Sequence, residues 1–241
     1  MKKIESIHFD LDSVLYIPSD FLETALQMSV NSMIQVGLRA GKQVALQKLW
    51  EIREEDSNAK DHFNQLCHHF NRVYDPIIIA AGVEKYWDCK ISLMTSAPEA
   101  NPILSVLYAK SRYDGEMNLQ KHSFFASEKK LKQKPYPGLW RKAQKEMGFD
   151  FSRSVMVGDR YLQDIFGAKR LGMITIKVNQ GPHANETIEE ALTAYQRLEK
   201  DDPFFSGQYS LKQVRNLMIP DYAISHLKEL TAVVEEISTT I

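Results

Sequence analysis

Two aspartates separated by one residue follow an apolar run near the start of the chain. The run Ile7–Phe9 leads directly to Asp10 and Asp12. In a β-strand, residues i and i+2 point to the same side, so these carboxylates would lie side by side at the end of a buried strand. That arrangement costs free energy unless a cation lies between them or one carboxyl is protonated. Either solution describes an active site, although such pairs also occur in turns and helix caps that face water.

The composition narrows the class of protein. The chain has 241 residues, of which 44% are apolar and 25% charged, with a formal net charge of -1. That length suffices for one large domain or for a core domain with a smaller partner domain. The balanced charge gives no sign of a nucleic-acid or membrane partner. Two cysteines without a Cys-x-x-Cys pair, Cys67 and Cys89, are typical of free thiols in a reducing compartment. Pro76–Val83, the longest apolar stretch, is too short to span a bilayer, and we expect a cytoplasmic protein.

The hydrophobic pattern predicts strands that alternate with helices, interrupted by one all-helical segment. Residues 19–73 have helical spacing and no strand signal. The predicted strands that flank this segment are residues 4–10, 154–159, 173–178 and 222–224. Such alternation is typical of a parallel, doubly wound sheet. We therefore predict an α/β fold with a Rossmann-like core of residues 1–16 and 91–241 and a small helical domain of residues 17–90, whose boundary could extend to about residue 97.

Two more aspartates follow a later predicted strand. Gly158 permits a sharp turn, after which Asp159 emerges at the strand end and Asp164 starts the next helix. Together with Asp10 and Asp12, they place four carboxylates on adjacent loops at one sheet edge. Oxygen ligands of this kind suit Mg²⁺, which usually binds through one or two carboxylates together with water and phosphate. Asp164 could instead serve only to cap its helix.

A lysine and two hydroxyl residues complete the candidate site. The prolines at positions 135 and 137 fix the chain direction before a helix, so they can direct Lys134 toward the carboxylates. There its ammonium could neutralise a phosphate and orient a nucleophile. Thr95 and Ser96 lie at the end of a possible strand, Ile91–Ser96, where a hydroxyl could donate a hydrogen bond to a phosphoryl oxygen.

These features, in this order, resemble the haloacid dehalogenase (HAD) superfamily. The resemblance is specific at Asp10-Leu11-Asp12, at Lys134-Pro135-Tyr136-Pro137 and at Gly158-Asp159 through Asp164, and it is poor at Thr95. A helical insert directly after the first motif is similar to the subfamily I cap. The sequence from Gly158 to Met173 is similar to the small-molecule phosphatases of that group. The resemblance implies a helical cap on a Rossmann-like core.

The resemblance also implies a role for each residue. Asp10 would be the nucleophile that forms an aspartyl-phosphate, and Asp12 would protonate the leaving oxygen and then activate water. Mg²⁺ would be bound by Asp10, by the backbone carbonyl of Asp12 and by Asp159, with Asp164 supporting it directly or through water. Dehalogenases of the family lack the second aspartate, so Asp12 favours phosphoryl transfer. The implied substrate is a small phosphorylated metabolite.

The segment before Lys134 leaves two alternatives open. In the first, which we expect, residues 76–88 form a helix and residues 91–96 form the strand that ends at Thr95. In the second, residues 76–94 continue the helical insert and residues 98–110 form the helix that precedes that strand. The second alternative would leave the hydroxyl motif eroded. We therefore expect a Mg²⁺-dependent phosphatase, with a binding or regulatory protein that has weak or lost catalysis as the alternative function.

Overall fold

The protein consists of two compact units. A computed structural model describes residues 4–16, 19–55, 61–93, 96, 99–104, 107 and 132–240. The first unit, here the core unit, comprises Met1–Ile17 and Ser96–Ile241, and the second, here the helical unit, comprises Pro18–Thr95. Within the described residues, no helix is both long enough and apolar enough to cross a membrane.

The described residues of the helical unit form helices packed around one apolar core. Their bounds are α1 (Ser19–Gln35), α2 (Lys42–Glu55), α3 (His62–Asn71) and α4 (Pro76–Leu93). The buried core includes Val30, Met33 and Leu49. A glycine at position 82 allows α1 and α4 to approach closely, because an added Cβ would lie 2.7 Å from Met33 Sδ. Close helix packing therefore accounts for the stability of this unit.

Helix α4 corrects one sequence prediction. The strand predicted for Ile91–Ser96 is wrong over residues 91–93, which are the last turn of α4. Ile91 is 75% exposed, whereas a residue inside a buried strand would be covered. A short apolar run does not distinguish a strand from a helix by periodicity, and here the helix that begins at Pro76 continues through it. The helix bounds agree with the alternative in which this segment belongs to the helical insert.

The core unit is built on a parallel sheet. In the described part of the chain the strands are β1 (Ser6–Phe9), β2 (Ser154–Gly158), β3 (Ile174–Val178) and β4 (Tyr222–Ile224), paired in that order. Phe9 lies opposite Val157, and Gly158 lies opposite Lys177. Because every pair is parallel, the carboxyl ends of the strands meet at one edge. The predicted α/β fold with a parallel sheet is confirmed.

Helices lie on both faces of this sheet. Among the described residues, α5 (Gly138–Met147), α6 (Gly167–Lys169) and α9 (Leu230–Thr240) pack on the sheet. Two further helices, α7 (Ile188–Asp201) and α8 (Leu211–Met218), pack against a π-helical turn (Tyr161–Phe166). Side chains alternate along β2: Val155 and Val157 join a cluster that includes Val234 of α9, whereas Met156 joins one that includes Trp140 of α5. Both faces are thus covered, as in a doubly wound sheet.

Candidate active site

Asp10 is fixed at the carboxyl end of β1. Its backbone N–H donates to the Val157 carbonyl at 2.9 Å, which extends the β1–β2 ladder by one residue. The chain then folds into a tight turn, in which the Leu11 carbonyl accepts from the N–H groups of Leu15 at 3.0 Å and Tyr16 at 3.2 Å. Asp12 lies in this turn and is exposed. The first aspartate is therefore held by the sheet and the second by the turn.

Asp159 and Asp164 lie at the carboxyl end of β2. They are 1% and 0% exposed, respectively. Glycine is required at position 158, because an added Cβ would lie 2.3 Å from Asp164 Cβ. Asp164 belongs to the π-helical turn, where its Oδ2 accepts from the Arg160 backbone N–H at 3.1 Å. This bond is a cap-like contact within the turn, but the other oxygen of Asp164 faces the site.

Lys134 joins the two strand ends. Its Nζ donates to Asp10 Oδ1 at 2.5 Å and also donates to Asp164 Oδ1. Three distant segments of the chain therefore bring Asp10, Lys134, Asp159 and Asp164 into one cluster. This placement is what the proline-bounded segment before α5 predicts for Lys134.

The electrostatics of the cluster reflect an excess of negative charge. Burial and the nearby Asp164 carboxylate raise the pKa of Asp10. Burial, followed by repulsion from Asp164 and Asp10, raises the pKa of Asp159 to about 7. Burial alone would lower the pKa of Lys134, but the carboxylates of Asp164 and Asp10 raise it above its ordinary value. Lys134 donates to Asp10 and Asp164 but not to Asp159, and the ammonium groups of Lys177 and Lys134 only partly oppose the rise in the pKa of Asp159, so a further cation would stabilise the three carboxylates.

The residues present fit a divalent cation. Carboxylate oxygens of Asp10, Asp159 and Asp164 lie within 4.8 Å of one another. Among the described residues, neither buried oxygen of Asp159 has a hydrogen-bond partner. A buried carboxylate without donors is costly, and a hard cation supplies the missing ligand interaction. The side chain of Asp12 is not part of this group, and its predicted contribution is through the backbone carbonyl.

The two hydroxyl candidates stay predictions. Thr95 lies outside the described residues. Ser96 is exposed, its Oγ accepts from Asn101 Nδ2 at 3.3 Å, and its backbone forms an isolated antiparallel bridge with Tyr16. The sequence predicts that Ser96 ends a strand that begins at Ile91. Residues 91–93 are instead the last turn of α4.

A buried lysine near the site was missed. Lys177 lies on β3, is 0% exposed, and its Nζ donates to Asn179 Oδ1 at 3.3 Å and to the His183 carbonyl at 3.4 Å. Burial lowers its pKa, which the carboxylates of Glu186 and Asp159 partly oppose. A lysine inside the apolar run Ile174–Val178 is the sequence signal that could have identified it.

Comparison with known proteins defines the class. A family model described as HAD-hydrolase-like matches residues 132–199, which contain Lys134, Asp159 and Asp164. The chain belongs to the HAD superfamily and is a phosphoric monoester hydrolase. A glyceraldehyde 3-phosphate phosphatase from Methanocaldococcus jannaschii is 31% identical over 97% of this chain and 98% of its own length. These matches favour a phosphatase over the alternative of a binding or regulatory protein.

Solved structures share the fold. A HAD phosphatase from Thermococcus onnurineus matches with a TM-score of 0.59 at 16% identity, covering 95% of this chain and 97% of that one. A HAD hydrolase from Bacillus subtilis, bound to magnesium, matches with a TM-score of 0.54 at 17% identity, covering 97% and 100%. At these identities the likeness concerns the fold alone.

Proposed function

We propose that this phosphatase hydrolyses a small phosphorylated metabolite in a Mg²⁺-dependent reaction that passes through phosphorylated Asp10. The observation that carries the proposal is the pairing of a lysine-held Asp10 with the buried, donor-free carboxylate of Asp159. The first supplies a fixed nucleophile at a strand end. The second supplies a site that a cation would complete.

The chain's own residues account for both chemical steps. The Asp10 carboxylate forms a bond to phosphorus while the ester oxygen leaves and takes a proton from Asp12. Water then attacks the same phosphorus, gives its proton to Asp12, and releases phosphate and the free Asp10 carboxylate. Lys134 holds Asp10 in place and places a positive charge beside the phosphoryl group.

Asp10, Asp159 and Asp164 would hold Mg²⁺, together with the backbone carbonyl of Asp12. The bound cation would offset the repulsion among these carboxylates and the negative charge of the phosphoryl group. The magnesium bound to the Bacillus subtilis structure supports this choice of metal. The grouping of the three carboxylates supports it independently.

One small phosphorylated compound is the natural first candidate for the substrate. The name of the Methanocaldococcus jannaschii relative makes glyceraldehyde 3-phosphate the first compound to test. Its leaving group is an alkoxide, which needs a proton in order to depart. The exposed Asp12 in the turn after β1 is the group that we assign to that proton transfer.

The test is phosphate release from glyceraldehyde 3-phosphate and from p-nitrophenyl phosphate, in Mg²⁺ and in EDTA. We expect hydrolysis to require Mg²⁺ and Asp10→Asn to lower kcat by on the order of 10³-fold or more. Asp201→Asn is the matched control, because Asp201 is exposed at the end of α7 and should behave like wild type. Equal rates for wild type and Asp10→Asn, or full activity in EDTA, would contradict the proposal.

A further inference from the structure

The turn that carries Asp12 has an unfavourable backbone conformation. Ser13 has a φ of 65°, in the left-handed region that residues other than glycine rarely adopt. Such a conformation is unfavourable and persists only where the surroundings fix it. Ser13 is 3% exposed, and the neighbouring Val14 is fully buried in the cluster that packs on the sheet. The turn is therefore held in place by contacts on more than one side.

A side chain that follows β3 holds this turn. Gln180 Nε2 donates to the Ser13 carbonyl at 2.9 Å and to the Val14 carbonyl at 3.1 Å. Two carbonyl acceptors can be satisfied only by the amide nitrogen, so the orientation of the Gln180 amide is determined. The preceding Asn179 N–H donates to the Ile224 carbonyl at 2.8 Å, which ties the base of this side chain to the sheet.

Gly181 makes a second contact with the same turn. Its φ is 69°, and an added Cβ would lie 2.9 Å from Ser13 Cβ. The backbone at 181 therefore lies directly against Ser13. Together, Gln180 and Gly181 contact the chain immediately after Asp12 at two points.

We propose that Gln180 is a positioning residue for Asp12. It acts on the backbone of the turn and is not assigned any contact with substrate. Because the Asp12 backbone is part of this turn, a displacement of the turn moves the Asp12 carboxylate with it. A general acid must lie within hydrogen-bond distance of the leaving oxygen, and small displacements are costly. This inference rests on the proposed role of Asp12 as acid and base.

The experiment compares two leaving groups. The constant kcat/KM includes the steps up to departure of the first leaving group, so it reports on the acid. An alkoxide, as in glyceraldehyde 3-phosphate, needs a proton, whereas p-nitrophenolate needs it far less. The variants are Asp12→Asn, Gln180→Met and the smaller truncation Gln180→Ala, with the exposed Gln208→Met as matched control. The thermal midpoint of each variant establishes that it is folded.

We expect Asp12→Asn to lose roughly 10²-fold or more in kcat/KM for glyceraldehyde 3-phosphate and much less for p-nitrophenyl phosphate. Both Gln180 variants should also lose kcat/KM, with a loss that is about 10-fold larger for glyceraldehyde 3-phosphate than for p-nitrophenyl phosphate. Gln208→Met should match wild type on both. A merely structural role would lower both constants by the same factor.

The two possible failures are distinguishable. If Asp12→Asn discriminates between the esters but the folded Gln180 variants lose equally on both, or lose nothing, Gln180 does not position Asp12 and the proposed function stands. If Asp12→Asn itself does not discriminate, Asp12 is not the acid. In that case the acid role that the proposed function assigns to Asp12 fails, and the positioning role of Gln180 fails with it, whereas the roles of Asp10 and Mg²⁺ are tested separately by Asp10→Asn and EDTA.

Discussion

At the scale of the residue, the absence of one methyl group shapes the site. Gly158 ends β2, and the Asp164 side chain occupies the space that a Cβ would need. Asp164 in turn accepts from Lys134, which also donates to Asp10. The close approach at Gly158 therefore determines where two carboxylates and the lysine lie.

Gly158→Ala should displace Asp164 and disrupt the cluster. An added Cβ at 2.3 Å from Asp164 Cβ cannot be accommodated without movement. We expect the Mg²⁺ concentration for half-maximal activity to rise about 10-fold or more, with about 1–3 kcal/mol lost from the free energy of unfolding. Activity against Mg²⁺ concentration and urea denaturation measure the two effects.

The matched control is Gly41→Ala in the helical unit, where an added Cβ would have no neighbour within 4 Å. It should leave both quantities close to wild type. If Gly158→Ala gives the same Mg²⁺ dependence as this control, the contact does not position the carboxylates.

The sequence predicted those site residues whose position follows from the course of the backbone. Asp10 and Asp159 could be paired from the sequence because parallel strands bring their carboxyl ends to one edge. The predicted strand was wrong over residues 91–93 because a short apolar segment fits either a helix or a strand. Gln180 could not be found, because an amide that donates to backbone carbonyls far along the chain leaves no sequence pattern.

At the scale of the element, β1 carries a partly buried histidine, His8, that is part of a hydrogen-bonded chain. Ser154 Oγ donates to the Asp150 carbonyl, and Ser6 Oγ donates to Ser154 Oγ at 2.8 Å. Because each hydroxyl has one hydrogen, Ser6 Oγ must accept from His8 Nε2, which lies 2.9 Å away. Burial lowers the pKa of His8 from 6.5 to about 4. The ring is therefore neutral in the folded protein at neutral pH.

This histidine should make stability depend on pH. Below about pH 6.5 the unfolded chain binds a proton at His8 that the folded protein does not bind until about pH 4. The contribution of the neutral His8 ring to the free energy of unfolding is therefore fully present above about pH 6.5 and is lost as the pH falls toward about 4. We expect the free energy of unfolding to fall between about pH 7 and about pH 4.5 by about 2 kcal/mol more in wild type than in His8→Gln.

Urea denaturation at the two pH values measures this difference. The other titrating groups are common to both proteins, so they cancel in the comparison. Identical pH dependence in wild type and His8→Gln would mean that the ring is not held neutral by burial.

Two helices of the core unit had the weakest sequence signal. Residues 185–216 are polar, yet they contain α7 and most of α8. Each helix starts with a capping box, formed by Thr187 with Glu190 and by Ser210 with Gln213. These pairs are visible in the sequence and could have predicted both helix starts. The π-helical turn was not predicted, because the contact of Asp164 with the distant Lys134 is not visible in the local sequence.

At the scale of the whole molecule, the candidate site belongs to the core unit. Asp10, Asp12, Lys134, Asp159 and Asp164 all lie within it, although as many as 154 positions separate the first from the last. The fold class followed from the alternation of strands and helices, because that pattern reflects burial on both faces of a sheet. The substrate could not be predicted in this way, because its recognition depends on contacts of individual side chains and not on the order of strands and helices.

The most direct test of the account is covalent trapping of the phosphoryl group. Asp12→Asn should accumulate phosphorylated Asp10 during turnover of radiolabelled p-nitrophenyl phosphate, because the leaving group departs without acid but water is no longer activated. After an acid quench, we predict label on the peptide that contains Asp10, released by hydroxylamine and absent from the variant that also carries Asp10→Asn. Label on another residue, or label that persists without Asp10, would contradict the account.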